Sequence, residues 1–123
     1  MDKVVHFEIP VDDFARAKKF YSSFGWDIMD FGNDYVGVRT TPVDEKSMPK
    51  EPGAINGGMM KRSKEVKAPT VAIHVKSVDE YIKKVTKAGG KLIMPKIEIP
   101  GMGYYAYVSD TEDNVIGLWE TIK

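Results

Sequence analysis

The chain has 123 residues, with 18 basic and 18 acidic side chains balancing to zero formal charge, and no cysteine. A chain of this length makes one compact domain, or two small modules sharing a core, and buries enough surface to fold without a disulfide or a metal. The missing cysteine excludes a disulfide scaffold, a thiolate zinc site, an iron–sulfur cluster and a cysteine nucleophile. The neutral balance argues against nucleic-acid or membrane partners. With no run near ~18 apolar residues and no signal-peptide core at Met1–His6, a cytoplasmic location is expected.

Val4–Pro10 predicts the first strand, where Phe7, Ile9 and Val11 alternate with His6, Glu8 and Pro10. Asp12 and Asp13 offer a helix N-cap. Phe14, Ala17, Phe20, Tyr21 and Phe24 make an apolar stripe at helical spacing, and Gly25 stops it. Strands follow over Trp26–Phe31, Tyr35–Thr40 and Ala54–Met60, with Gly32, Asn33 and Asp34 turning between the first two. The Thr41–Pro52 stretch reads as an irregular loop. The basic segment Lys61–Lys67 reads as a solvated linker.

The pattern then repeats. A strand is expected over Thr70–Val75, and Ser77 with Glu80 makes a capping box. Val78, Tyr81, Ile82, Val85 and Ala88 form the second helical stripe, ended by Gly89 and Gly90. Strands are predicted over Lys91–Met94, Tyr104–Ser109 and Val115–Glu120, with Pro95–Gly103 as an irregular loop and Asp110–Asn114 as a turn. Phe7, Ile9 and Val11 align with Val71, Ile73 and Val75 at an offset of 64. In the last strands an offset of 61 places Ile55 over Ile116 and Asn56 over Gly117. The organisation is one domain over 1–123, with an N-terminal module over 3–61 and a C-terminal module over 68–122. Each module reads β-α-β-β-β, so the fold class is α+β with curved mixed sheets around a cleft.

A helix covers one face of each four-stranded sheet, which leaves the other face to a partner or a ligand. The period of two sends Phe7, Ile9 and Val11 under the helix and His6 and Glu8 to the opposite face. It sends Thr70, Ala72 and His74 the same way as His6, along with Asn56, Gly58, Val115, Gly117 and Trp119. Glu120 falls on the opposite side from Gly117. A face of histidine, glutamate, asparagine, threonine and glycine is a poor oily core and a plausible binding surface.

His6-Phe7-Glu8-Ile9-Pro10-Val11-Asp12-Asp13 running into Ala17-Lys18-Lys19-Phe20-Tyr21 and Phe24-Gly25-Trp26, with Ala88-Gly89-Gly90 and the turn before Ile116-Gly117-Leu118-Trp119-Glu120, resembles the vicinal oxygen chelate superfamily. This is the glyoxalase, bleomycin-resistance and extradiol-dioxygenase fold. Gly53–Gly58 and Pro95–Gly103 are similar to the small proteins related to lactoylglutathione lyase. The resemblance implies a homodimer and a small-molecule ligand. It also implies a divalent metal held by one residue from the first and one from the last strand of each module. Carried onto this chain, those positions are His6, Asn56, Thr70 and Gly117.

Only His6 is a good metal ligand, since a hydroxyl and an amide oxygen are weak partners for zinc or nickel and glycine has no side chain. No resident cofactor is therefore expected, although a divalent metal remains possible through another ligand set. The set His6, His74 and Glu120 is disfavoured by spacing: His74 lies about 13 Å along the strand from the ligand position, and Glu120 is on the wrong face.

The leading reading is a metal-independent small-molecule binder, with Asn56, Thr70, His74, Tyr105 and Gly117 in the binding surface. The alternative is a lyase or isomerase of the glyoxalase I kind, or a dioxygenase-like enzyme, either metal-dependent or using His6 with Glu8 as catalytic acid and base. His6 and Glu8 sit about 7 Å apart along one face, near enough for a carboxylate to tune a histidine. Tyr105 and Tyr107 share a face and can stack on a flat ligand. A third reading, an accessory domain acting through dimerisation, predicts a filled face.

Overall fold

The computed structural model describes every residue except Phe31, Asn33 and Lys123. The expected end of the second strand at Phe31 and the turn residue Asn33 thus lie outside the described residues. The fold is α+β, and its elements follow in chain order as β1 (Lys3–Val11), α1 (Phe14–Ser22), β2 (Asp27–Asp30), β3 (Tyr35–Arg39), β4 (Gly57–Lys61), β5 (Thr70–His74), α2 (Val78–Lys87), β6 (Lys91–Ile99), β7 (Gly103–Ser109) and β8 (Val115–Thr121). The chain forms two compact units, one of His6–Pro69 and one of Thr70–Lys123 with Met1–Val5.

In the first unit the strand order is β2-β3-β4-β1. β1 and β4 run parallel, while β3 is antiparallel to both β2 and β4. Asp13 caps α1, its side chain accepting from the Arg16 amide at 3.0 Å. Gly25 follows the helix at φ 79°, a left-handed conformation that glycine adopts without steric cost. The face of β1 that carries Phe7, Ile9 and Val11 is covered by α1: these residues cluster with Phe14, Ala17 and Tyr21 and with buried Val36, Val38 and Met59. His6 and Glu8 therefore lie on the face opposite α1.

In the second unit the order is β5-β8-β7-β6, with β5 and β8 parallel and the remaining pairs antiparallel. Ser77 accepts from the Glu80 amide at 3.2 Å as the cap of α2. Val75, Val78, Ala106, Val108 and Leu118 form the core beneath α2, flanked by Tyr81, Ile82 and Val85.

Two expectations are corrected. β6 continues through Pro95 to Ile99, where a loop was expected, because its register with β7 shifts between Leu92 and Met94 and again between Met94 and Ile97. Such bulges let an edge strand absorb a proline whose missing N–H would break a regular ladder. β4 begins at Gly57, not at Ala54, because the Asn56 side chain is spent on the preceding loop, as described below.

Candidate functional site

The first-unit site is built on the face of β1 opposite α1. The His6 Nε2 and the Tyr35 hydroxyl are hydrogen-bonded at 2.9 Å. The same Nε2 lies 3.8 Å from Glu8 Oε2. The Glu8 side chain is 6% exposed and that of His6 30% exposed, so the carboxylate is the buried end and the imidazole the open end. Burial pushes the Tyr35 hydroxyl well above its usual range, and the charge of Glu8 and a hydrogen bond to it push further in the same direction. Tyr35 thus stays protonated. Sequence reasoning missed it. The available signal was its period of two with Gly37, which puts it on the face opposite Val36 and Val38.

Register explains how Tyr35 gets there. Glu8 pairs with Gly58, and Gly58 with Gly37. A Cβ on Gly58 would collide with the Tyr35 hydroxyl and ring. The ring therefore fills the space that a side chain at 58 would need. The second unit repeats the device. Ala72 pairs with Gly117, and a Cβ on Gly117 would collide with the Tyr105 hydroxyl and ring. Tyr105 is 8% exposed and packs on Tyr107, with centroids 4.9 Å apart, and on Trp119 at 6.2 Å.

This register corrects the alignment of the last strands. Glu8 and Ala72 are equivalent at the offset of 64, so their partners Gly58 and Gly117 are equivalent to each other, at an offset of 59. Gly117 therefore corresponds to Gly58, not to Asn56. Without a register, the two glycines of Gly57–Gly58 offered no side-chain pattern to anchor the alignment.

Asn56 sits in the loop before β4. Its Oδ1 accepts from the amides of Thr40 at 2.8 Å and Thr41 at 3.1 Å, and its Nδ2 donates to the Thr41 carbonyl at 3.3 Å. The Thr40 hydroxyl donates to the Ile55 carbonyl at 2.8 Å. Thr70 is 5% exposed, and its hydroxyl donates to the Val115 carbonyl at the start of β8. His74 is exposed, with its Nε2 hydrogen-bonded to the Thr121 hydroxyl at 2.9 Å. Glu120 turns to the helix side, where Oε1 accepts from the Val78 amide at 2.8 Å and satisfies a free N–H of the first turn of α2. The structure thus brings His6, Glu8 and Tyr35 together and places Asn56, Thr70, His74 and Tyr105 in separate local networks.

With the observed register, the chelate positions that the resemblance implies become His6 and Gly58 in one unit and Thr70 and Gly117 in the other. The two glycines supply no donor, and their space is taken by tyrosine rings. The Thr70 hydroxyl is committed to a carbonyl, and His6 Nε2 to a phenol. This donor set does not fit a divalent metal. Among the described residues no group of three or more His, Asp or Glu side chains is placed to hold one.

Residues 3–41 match the family described as bleomycin resistance protein-like N-terminal. A glyoxylase-like domain-containing protein of Didymella fabae is 32% identical, over 87% of this chain and 84% of that protein. A Mycobacterium tuberculosis protein with a provisional glyoxylase name, CFP32, is 28% identical over 92% of this chain, and the chain spans 43% of that relative's length. Among solved structures, a glyoxalase/bleomycin resistance protein/dioxygenase superfamily member from Vibrio splendidus 12B01 superposes with a TM-score of 0.63 at 10% identity, covering 99% of this chain and 100% of that one. Sequence and fold together make this chain a glyoxylase-like domain, and it belongs to the glyoxalase/bleomycin-resistance/dioxygenase superfamily.

Proposed function

We propose that this domain binds a small organic molecule without the divalent metal of the superfamily, using His6, Glu8 and Tyr35 as its polar centre. The observation that carries this is the paired replacement of the last-strand ligand positions by Gly58 and Gly117, each under a tyrosine ring. A chelate needs donors that converge on one point. Here, two of the four positions hold no donor and a third is satisfied by backbone.

The reading extends to organisation. The stretches 3–61 and 68–122 act as paired modules of one domain, and the protein works as a homodimer. No helix among the described residues is long and apolar enough to cross a membrane, which accords with a cytoplasmic protein. Asn56, Thr70, His74, Tyr105 and Gly117 serve the binding surface indirectly, by shaping strands and loops, while His6 meets the ligand.

A second reading is a lyase or isomerase of the glyoxalase kind, with His6 and Glu8 as acid and base. The 3.8 Å approach of His6 Nε2 to the Glu8 carboxylate favours it.

The test is metal retention. Untagged protein is incubated separately with nickel, zinc, manganese and anaerobic ferrous iron, desalted and assayed. Near-zero retention of all four supports metal-independent binding. About one metal per chain, lost in His6→Ala, overturns it. Thermal-shift screening of a fragment collection reads the binding half: hits that persist in wild type and vanish in His6→Ala support the site.

A further inference from the structure

We propose that the segment 41–55 is a flap that opens at its root beside His6, with the Asn56 side chain holding it shut and the buried hydroxyl of Thr41 driving it open. The flap stands whether or not His6 meets a ligand.

The body of the flap is tied by hydrogen bonds within itself. The Asp44 carboxylate accepts from the amides of Lys46 at 2.8 Å and Met48 at 3.0 Å, and the Asp44 amide donates to the Met48 carbonyl at 2.9 Å. The Lys50 amide reaches back to the Pro42 carbonyl at 3.0 Å, and Val43 bridges to Pro49. A turn centred on Pro52 and Gly53 leads to the root, with Gly53 at φ 85° and the Ala54 amide on the Glu51 carbonyl at 3.2 Å. From Pro42 to Asn56 no residue is buried, so little apolar packing holds this body to its unit. Few buried contacts and exposed hydrogen bonds are the features of a segment that opens locally.

At the root two side chains oppose each other. Asn56 favours the closed state, because its amide bonds the Thr40 and Thr41 amides and the Thr41 carbonyl. Thr41 opposes it. The residue is 4% exposed, and its Oγ1 has no hydrogen-bond partner among the described residues. A hydroxyl taken out of water without a partner costs free energy, and opening returns it to water. Valine has nearly the outline of threonine, so the hydroxyl adds nothing to the packing of the closed root. Closed and open states are thereby drawn together in free energy. Register fixes where this happens. Gly57 pairs with both Phe7 and Val38. Asn56 precedes Gly57 as His6 precedes Phe7 in the parallel strand, so the root lies at the His6 end of β1. Opening loosens the strand end beside His6.

The test is native-state hydrogen exchange of the full chain, corrected for intrinsic rates. The Thr40 and Thr41 amides report the root, because both donate to Asn56 Oδ1. The amides of Val36 and Val38, buried in β3, report unfolding of the unit. In wild type the root amides are expected to exchange faster than those of β3, and with a weaker dependence on low urea, as a local opening exposes less surface. Equal rates with equal urea dependence would mean that the root opens only when the unit unfolds, and would overturn the flap. Thr41→Val removes the unpartnered hydroxyl and is expected to slow exchange of the root amides by about tenfold. Thr41→Ser keeps the hydroxyl and should exchange like wild type. Exchange that is unchanged or faster in Thr41→Val would show that the hydroxyl has a partner in the closed state, and would overturn its role. If the valine variant fails to fold, that role is overturned as well, because a side chain that only opposes closure is dispensable, and the urea dependence in wild type still decides the flap.

Discussion

Tyr35 occupies the space above Gly58 that any Cβ would need. Gly58→Ala is therefore expected to destabilise the fold by about 1–3 kcal/mol, the usual cost of overpacking a filled interior. Gly117→Ala should behave alike, through Tyr105. Urea denaturation measures both. The double variant Gly58→Ala/Tyr35→Ala should cost less than the sum of its singles, because the steric conflict needs both partners. Strict additivity would show that ring and glycine are not coupled.

The same tyrosine makes stability sensitive to alkali. Its pKa in the folded state is raised above the usual value near ~10. The unfolded state then loses its proton first as pH rises, so the unfolded state binds fewer protons and folding stability falls. The contribution is fully present below pH ~10 and declines above it, by up to about 1.4 kcal/mol per pH unit. Tyr35→Phe should flatten this decline relative to wild type. Parallel slopes for the two proteins from pH ~9 to ~11 would show that Tyr35 ionises as it does in the unfolded chain.

Asn56 holds the Thr40–Thr41 backbone against β4 through both ends of its amide. Removing it leaves two amides and a carbonyl without their partner. Asn56→Ala should cost about 1–3 kcal/mol, and Asn56→Asp less, since Asp keeps the acceptor for both amides. Hydrogen exchange localises the effect: the Thr40 and Thr41 amides should lose protection first. Unchanged protection at these amides in Asn56→Ala would remove this role.

Helix α2 has two side-chain caps, Ser77 on the Glu80 amide and Glu120 on the Val78 amide. Each substitution, Ser77→Ala and Glu120→Ala, should cost about 1 kcal/mol. The Glu120 cap tethers β8 to the start of α2. Glu120→Gln, which keeps an acceptor oxygen, should recover most of the loss. A loss in Glu120→Gln as large as in Glu120→Ala would assign the effect to charge at the helix terminus instead.

Much of the fold was legible because its signals are local. Alternation along β1 and β5, helical stripes in α1 and α2, caps at Asp13 and Ser77 and the stop at Gly25 are decided within a few residues of each position. The notion that Glu120 turns away from the Gly117 face followed from the period of two, and its bond to the Val78 amide agrees.

The residues alone determined a doubled β-α-β-β-β pattern and a face of β1 bearing His6 and Glu8. Tertiary structure alone decided that Gly58 is the counterpart of Gly117, that Asn56 serves a loop, and that the Tyr35 hydroxyl meets His6. The physical reason is register. Which residue of β4 stands beside Glu8 depends on hydrogen bonds between strands that lie far apart in sequence, and a glycine carries no side chain from which to infer it. Once Glu8 stands beside Gly58, the absent Cβ opens the path for a ring from β3, and the polar centre follows.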